Sequence, residues 1–442
     1  MSPGDRQDEQ PAPHPPHGVG RAGALLPPYC FGCALVFFAG ALVAAPFLAA
    51  TLADHFYQTR VLALTHALTL GWISLTMIGV LYRYVPALAK QALPYPRVAV
   101  AQTALFVVGT AALVGAFWAG RWLPAAGAAA VLVVASGLLC ANLWPILLRA
   151  PRRGVAEVGV LAATVFLVAA ATLGTLLALD KQGGLLGGSL LTNLGAHVHL
   201  AAVGWVAITI CALSFRFLAA FLLPTVQFPE GARWLVLALV AAVAALAATL
   251  LLESALAPAA AVAVGATLVA YLATLGRVVA SHRMPLDWTA RHAMAGSAWL
   301  LATIAAGGTL AFVGADTPLG APLAAAYGAG GILGWMSNLI IGISYKLFPG
   351  FVAGARIERG RRRVPVGELG GPDAVQPWIF ALYNAGVLAT VAALLAAHVP
   401  ALVAATSLLA AGALLYVAVS LRTVAWAFVD PAPATTPLRV ID

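Results

Sequence analysis

The sequence has little charge for its length. Asp, Glu, Lys and Arg make up 9% of the 442 residues, whereas 62% of the residues are hydrophobic and the mean hydropathy is +0.95. A soluble domain of this composition lacks the polar residues needed to cover its surface. Long apolar runs in such a chain are typical of membrane-spanning helices. The composition therefore predicts an all-α polytopic membrane protein with the lipid bilayer as its surroundings.

Cysteine is also scarce, with four residues in the whole chain. Four cysteines are too few for a disulfide framework, and the absence of a CxxCH motif excludes covalently attached c-type haem. Cys30 and Cys33 form a CxxC at the start of the first apolar run, where they are interpreted as small buried hydrophobic residues. Residues 1–27 contain no apolar stretch of the kind that forms a signal peptide, so they are predicted to be a disordered cytoplasmic tail.

Twelve apolar runs are long enough to cross about 30 Å of hydrocarbon at about 1.5 Å per residue. The predicted spans are 28–50, 61–87, 98–119, 122–148, 155–179, 190–224, 232–252, 257–280, 290–313, 322–350, 375–397 and 400–428. Residues 28–428 thus form a twelve-helix transmembrane domain, and 429–442 form a second cytoplasmic tail.

The basic residues are distributed unevenly between the two sides of these spans. Connections that follow odd-numbered spans hold Arg60, Arg121 and Lys181, and the other 21 of the 24 Lys and Arg residues lie on the opposite side. The positive-inside rule then places both termini in the cytoplasm, in the cell's inner (plasma) membrane. The same distribution excludes a nucleic-acid partner despite the net charge of +9, and the basic stretch from Arg356 to Arg363 is predicted to be a solvated loop.

One sequence pattern occurs three times. Gly71-Trp72, Gly204-Trp205 and Gly334-Trp335 are separated by 133 and 130 residues, and each glycine is followed after 12 positions by a cation. Those cations, interpreted as side chains that reach the inner interface, are Arg83, Arg216 and Lys346. Since each period contains four spans, the chain is predicted to form three parallel four-helix units, 28–148, 155–280 and 290–428.

Histidines occupy equal positions in two of the three copies. His66 and His199 each lie five residues before the glycine, so both are expected in the outer third of the bilayer. Two imidazoles at equal depth suit the axial ligation of a haem, although hydrogen bonds between helices would also explain them. His197 lies two positions before His199, about 200° around the helix, and must face another neighbour. It is a candidate ligand for a second haem or a copper ion, or a donor across a helix pair.

The segments GAHVHLAAVGWVAITI and THALTLGWISLTMIGVLYRYVP resemble the histidine-bearing helices of haem–copper oxidase catalytic subunits (cytochrome c oxidase subunit I). The resemblance implies twelve spans, a haem near the outer face and electrons that arrive from that side. Carried over, it makes His66 and His199 the axial ligands of a low-spin haem b and His197 a ligand of a second haem. Copper stays open, because no adjacent His-His pair exists and the third copy, Tyr327 to Gly330, has no histidine.

The resulting hypothesis is a haem b-binding redox protein of the subunit I type that transfers electrons, or acts on oxygen or nitric oxide as an oxidoreductase. The alternatives are a haem and copper protein of the NnrS type for nitric oxide tolerance, a transporter or channel without haem, and a structural assembly subunit. The sequence identifies neither the electron donor nor a partner subunit. No carboxylate lies in the middle of a span, which argues against proton pumping, and His292 is predicted to reach the cytoplasmic interface.

Overall fold

The computed structural model describes residues 23–150, 153–222 and 231–429, apart from the side chains of Arg216 and residues 218–222. Within these ranges the chain is helical, has no β-strand and contains twelve helices long and apolar enough to cross a membrane. These helices are α1 (Leu26–Asp54), α2 (Thr59–Ala89), α3 (Pro96–Trp118), α4 (Trp122–Arg149), α5 (Val155–Gly183), α6 (Leu190–Phe215), α7 (Ala232–Leu251), α8 (Ala257–Ala280), α9 (Trp288–Val313), α10 (Gly320–Glu358), α11 (Asp373–Leu395) and α12 (Val399–Ala425). The chain is therefore an all-α, multi-pass membrane protein.

Each helix crosses the bundle from one end to the other, so the connections between successive helices fall into two sets. The histidine end carries the connections after odd-numbered helices, residues 55–58, 119–121, 184–189, 252–256, 314–319 and 396–398. The basic end carries the connections after even-numbered helices, together with residue 23 and residue 429. The predicted tails, 1–27 and 429–442, fall mostly outside the described residues, and the first helix already begins at Leu26.

The internal repeat predicted from Gly-Trp is visible in the backbone. Each copy widens from an α-helix to a π-helix for eight residues, at Ala67–Ser74, Leu200–Ala207 and Gly330–Ser337. A π turn leaves a carbonyl less well paired than an α turn does. In two copies a serine hydroxyl donates to the carbonyl five residues earlier, Ser74 to Thr69 and Ser337 to Ile332, at 2.8 Å each. The Gly-Trp spacing alone does not predict this widening.

The repeated glycines allow a close approach of neighbouring helices. Gly71 lies against Phe37, Gly204 against Phe166 and Gly334 against Trp299, and a methyl group at any of the three would overlap the facing aromatic side chain. Each aromatic comes from the first helix of the same unit, α1, α5 or α9. The glycine therefore packs the second helix of each unit against the first, as small residues do in membrane proteins.

The repeated tryptophans connect one unit to another. Trp205 Nε1 donates to Ser74 Oγ at 2.9 Å, and Trp72 Nε1 donates to Ser337 Oγ at 3.1 Å. In both contacts the acceptor lies three positions after the repeated glycine of another unit. The equivalent partner of Trp335 is Ala207, which has no hydroxyl. The centre of the molecule is thus a threefold-like ring in which two of three Trp-to-Ser hydrogen bonds can form.

Aromatic side chains fill the interior between the first and third units. Phe31 stacks on Phe348 with ring centres 4.1 Å apart, and Phe38 contacts Tyr383 at 6.3 Å. Cys30 in the same region is fully buried and Cys33 is half-buried, and neither forms a disulfide. Their burial agrees with the interpretation of the CxxC as packing residues.

The predicted loop from Arg356 to Arg363 is wrong at its start. Arg356 belongs to α10, is completely buried and donates from Nη1 to the carbonyls of Trp426 and Val429 at 2.6 and 3.1 Å. Because a buried guanidinium needs several acceptors, it holds the end of α12 against α10. The helix continues for eight residues beyond the predicted end at 350.

Candidate functional site

A cavity of about 260 Å³ lies between helices α2 to α10. Most of its lining is aliphatic, and His66, His197 and His199 all face it. We call the part lined by α2 to α6 the first chamber and the part lined by α6 to α10 the second chamber. An apolar membrane cavity with imidazoles in its wall is an unusual environment for histidine, because a buried polar group needs a partner or a ligand.

The first chamber brings His66 and His197 together. Their ring centres are 6.4 Å apart, and the ring planes differ by 27°. His66 Nδ1 lies 2.7 Å from the Leu62 carbonyl oxygen, and His197 Nδ1 lies 2.9 Å from the Ala170 carbonyl oxygen. Since a carbonyl only accepts, each Nδ1 must carry the proton and each Nε2 keeps its lone pair. Metal-bound histidines have this arrangement, in which the second nitrogen is held by a backbone carbonyl.

The second chamber contains His199 and Tyr327. His199 Nδ1 donates to the Gly195 carbonyl at 2.7 Å, and its Nε2 lies 3.4 Å from the Tyr327 hydroxyl. This distance is long for an O–H···N hydrogen bond. As the angle of about 200° predicts, His197 and His199 face different neighbours.

The neighbour of His66 therefore differs from the one expected. Equal position in the repeat suggested that His66 pairs with His199. In the structure, the histidine five residues before the repeated glycine of one unit faces the next unit, where its neighbour lies seven residues before the repeated glycine. His66 faces His197 by this rule, and His199 faces Tyr327. Sequence comparison missed Tyr327 because it searched for histidines in one register. The signal was that Tyr327 follows His197 by 130 residues.

Glycines on the preceding helices support the facing side chains. A Cβ atom at Gly174 would lie 2.8 Å from His197 Cε1, and one at Gly307 would lie 2.9 Å from Tyr327 Cε2. Neither ring could keep its place beside a methyl group at those distances. The two glycines occupy equal places in α5 and α9, so the repeat places the same support behind each chamber.

The ligand number distinguishes between kinds of metal centre. No group of three or more His, Cys, Asp or Glu side chains that could hold a metal ion occurs among the described residues. Zinc sites use three or four protein ligands, which the first chamber does not offer. A haem iron receives four ligands from its own macrocycle and needs one or two from the protein, so the His66 and His197 pair fits that group.

A chain of aromatic rings runs from the first chamber to the histidine end. His66 contacts Phe117 at 5.1 Å between ring centres, Phe117 contacts Trp122 at 5.5 Å, and Trp122 contacts Tyr57 at 6.1 Å. Lys181 Nζ lies over Tyr57 and Trp122, at 5.0 and 5.5 Å from the ring centres. Burial, assisted by the charge of Asp180, raises the pKa of Tyr57 to about 12, so its phenol stays protonated at neutral pH.

Arg60 lies in the first turn of α2, with its guanidinium carbon 6.0 Å from the ring centre of Trp118. Arg121 belongs to the connection between α3 and α4. The three cations counted on this side of the sequence thus lie at the histidine end of helices α2 to α5.

His292 is not at the interface where it was expected. Its side chain is fully buried, and Nδ1 lies 2.8 Å from Asn338 Oδ1. Two of the cations in the repeat form ion pairs near the basic end: Arg83 pairs with Glu358, and Lys346 Nζ lies 2.8 Å from Asp287 Oδ2. Both cations stay partly exposed, so these pairs are compatible with side chains that reach the inner interface. The side chain of Arg216 lies outside the described residues.

Two loop histidines act as local caps. His55 Nδ1 accepts from the Tyr57 amide at 3.0 Å, and His398 Nδ1 accepts from the Ala401 amide at 3.2 Å at the start of α12. Neither lies in the wall of the chambers. Comparison with known proteins adds no relative, since neither a protein-family model nor a curated protein matches the sequence.

Proposed function

We propose that this chain is a haem b-binding membrane redox protein of the haem–copper oxidase subunit I type. The observation that carries the proposal is the pair of imidazoles in the first chamber. With metal–nitrogen bonds of about 2.0 Å and about 1.1 Å from nitrogen to ring centre, two imidazoles that hold one iron would have ring centres about 6.2 Å apart. The centres of His66 and His197 are 6.4 Å apart.

The residues around this pair suit an iron that changes its charge by one electron. Phe117, Leu113 and Leu167 make the wall apolar, which keeps water from the site and favours the less charged state. The carbonyls of Leu62 and Ala170 orient the two rings and raise the basicity of Nε2. When bound, a haem would supply the one-electron chemistry, and the chain would supply its ligands, orientation and dry surroundings.

His199 leaves room for a second function. In the second chamber its Nε2 faces one tyrosine hydroxyl and no second imidazole, and Gly308 and Gly328 leave open space in the wall. A site with one nitrogen ligand and an open position suits a second haem that handles a small gas such as oxygen or nitric oxide. The proposal thus moves the second site from His197 to His199. Copper has no ligand set of its own in this proposal.

The orientation of the protein in the membrane is inferred from the distribution of Lys and Arg. With both termini in the cytoplasm of a cell with a plasma membrane, the histidine end faces outward. Electrons from a donor on that side would meet the Tyr57, Trp122 and Phe117 rings before His66. Lys181, which lies over two of those rings, suits a donor with an acidic surface.

Absorption spectroscopy of the purified protein tests the proposal. We expect a Soret band and a low-spin spectrum in the native chain, and loss of the low-spin spectrum in both His66→Ala and His197→Ala. His199→Ala is the matched control, because it removes an imidazole of equal size from the other chamber and leaves the low-spin spectrum in place. A native protein without a Soret band would refute haem binding and favour a transporter. Loss of the low-spin spectrum in His199→Ala, with His197→Ala unaffected, would restore the pairing expected from equal positions.

A further inference from the structure

A second group of buried polar side chains lies in the third unit, away from both chambers. It consists of His292 on α9, Asn338 on α10 and Asn384 on α11. Asn338 Nδ2 donates to the Gly334 carbonyl at 2.7 Å and to Asn384 Oδ1 at 3.0 Å. With its amide nitrogen used in this way, Asn338 presents Oδ1 to His292 as an acceptor.

The hydrogen bond with Asn338 assigns the proton of His292. Because Oδ1 accepts, Nδ1 of the imidazole is the donor, at 2.8 Å, and the neutral ring carries its lone pair on Nε2. That Nε2 atom is buried and has no hydrogen-bond partner among the described residues. A buried acceptor left in this state is costly, and native proteins satisfy such atoms with internal water.

A donor without a partner belongs to a ring that packs against this imidazole. The hydroxyl of Tyr345 is buried and likewise has no hydrogen-bond partner among the described residues. The ring centres of Tyr345 and His292 are 5.8 Å apart. A water molecule between them would accept from the phenol and donate to Nε2, satisfying both atoms.

The polar group is specific to one unit. The positions equivalent to His292 are Cys30 and Gly159, seven residues before Phe37 and Phe166, just as His292 is seven residues before Trp299. The other two units therefore have no imidazole at this place. Packing in the first two units does not need a polar group here, so a packing role alone does not explain His292.

The group lies near the basic end and close to charged side chains. Asp287, which caps α9, forms an ion pair with Lys346, and their side chains are 44% and 32% exposed. Arg291 lies over Trp288 on the first turn of α9. The ion pair thus provides a partly exposed polar surface one residue along α10 from Tyr345. From there the chain of polar groups continues through His292 and Asn338 to the Gly334 carbonyl, next to Trp335 in the cavity wall.

We propose that His292 Nε2 and the Tyr345 hydroxyl bind an internal water molecule, at the inner end of a hydrated path that starts at the Asp287–Lys346 ion pair. The third unit is then the place where water, and protons carried by water, enter the bundle from the basic end. The neutral imidazole acts as a fixed acceptor that holds the water in position. The site requires no haem and is independent of the histidines of the two chambers.

Hydroxyl-radical footprinting tests the site, because radicals formed from bound water modify the side chains in contact with it. We expect Tyr345 in the native full-length protein to be modified several-fold faster than Tyr416. Tyr416 is the buried reference, since it is fully buried and its hydroxyl already donates to Ser344 Oγ at 2.9 Å. Because the Tyr345 ring is partly exposed, the decisive comparison is the rate at Tyr345 with and without His292. His292→Phe should reduce the rate at Tyr345 to that of Tyr416. Equal rates at the two tyrosines of the native protein would overturn the proposal.

A stability measurement provides a second test that does not depend on haem. If water bridges the two groups, Tyr345→Phe removes a hydrogen bond and lowers the melting temperature by about 0.5–1.5 °C. The control is Thr110→Val, which also removes a buried hydroxyl without a hydrogen-bond partner among the described residues but has no orphan acceptor assigned beside it. A melting temperature for Tyr345→Phe equal to or above that of Thr110→Val would contradict the bridging water. A protein without a Soret band would leave both outcomes unchanged.

Discussion

Substitution of Gly174 by alanine tests whether the position of His197 controls the first chamber. The added Cβ would lie 2.8 Å from His197 Cε1 and 3.3 Å from its Nδ1. The ring must therefore move, and its hydrogen bond to the Ala170 carbonyl must lengthen or break. No ligand atom is removed, so the effect reports on geometry alone.

The magnitude follows from three opposing contributions. Replacing glycine by alanine inside a helix gains up to about 1 kcal/mol. Overpacking costs about 1–3 kcal/mol, and loss of the hydrogen bond costs about 0.5–1.5 kcal/mol. We expect net destabilisation of about 0.5–4.5 kcal/mol together with loss or broadening of the low-spin spectrum.

Gly183→Ala is the matched control for this prediction. Gly183 is the last residue of the same helix, and a Cβ there meets no other atom within 4 Å. Melting curves and absorption spectra of the two variants, measured in the same detergent, give the comparison. If Gly174→Ala keeps the native spectrum and melts at or above the temperature of Gly183→Ala, His197 does not occupy the position described for it.

Three further substitutions test other parts of the structure. Ala207→Ser offers Trp335 the hydroxyl that the other two units possess and should raise the free energy of unfolding by about 0.5–1.5 kcal/mol. Unchanged or lower stability would show that the threefold ring does not extend to this position. Trp122→Leu interrupts the aromatic chain and should slow reduction by a donor at the histidine end while the absorption spectrum stays native; an unchanged rate would exclude this route. Arg356→Gln leaves the carbonyls at the end of α12 without their buried cation and should destabilise the protein by about 2–4 kcal/mol, which chemical unfolding would detect, and near-native stability would contradict the role assigned to Arg356.

The twelve helices could be predicted because the length of an apolar run reports a local property. A run that must cross the hydrocarbon core needs about 20 apolar residues, and each backbone polar group is satisfied within the helix itself. The predicted and observed bounds differ mostly by a few residues. The large error lies at the end of α10, where Arg356 looked solvated but is buried by carbonyls from α12. Charge in the sequence does not show whether a distant segment supplies acceptors.

The candidate site was predicted in part. The spacing of His66 and His199 from their glycines identified two segments that line the cavity, because the repeat preserves register. It did not identify Tyr327, because the second unit has an imidazole, His197, at the equivalent position and the third unit has a phenol. His292 was misplaced for a related reason, because the acceptor that makes its burial tolerable, Asn338, lies 46 residues away.

The sequence by itself determined the helices, the three units and the equal depth of the histidines, all of which depend on spacing along one chain. Only the tertiary structure decided that His66 meets His197 and that His199 meets Tyr327. That choice depends on how each unit is rotated against the next, which the Gly–aromatic contacts, the π turns and the Trp-to-Ser hydrogen bonds set together. Contacts between units join residues about 130 positions apart, and no pattern within a single helix specifies them.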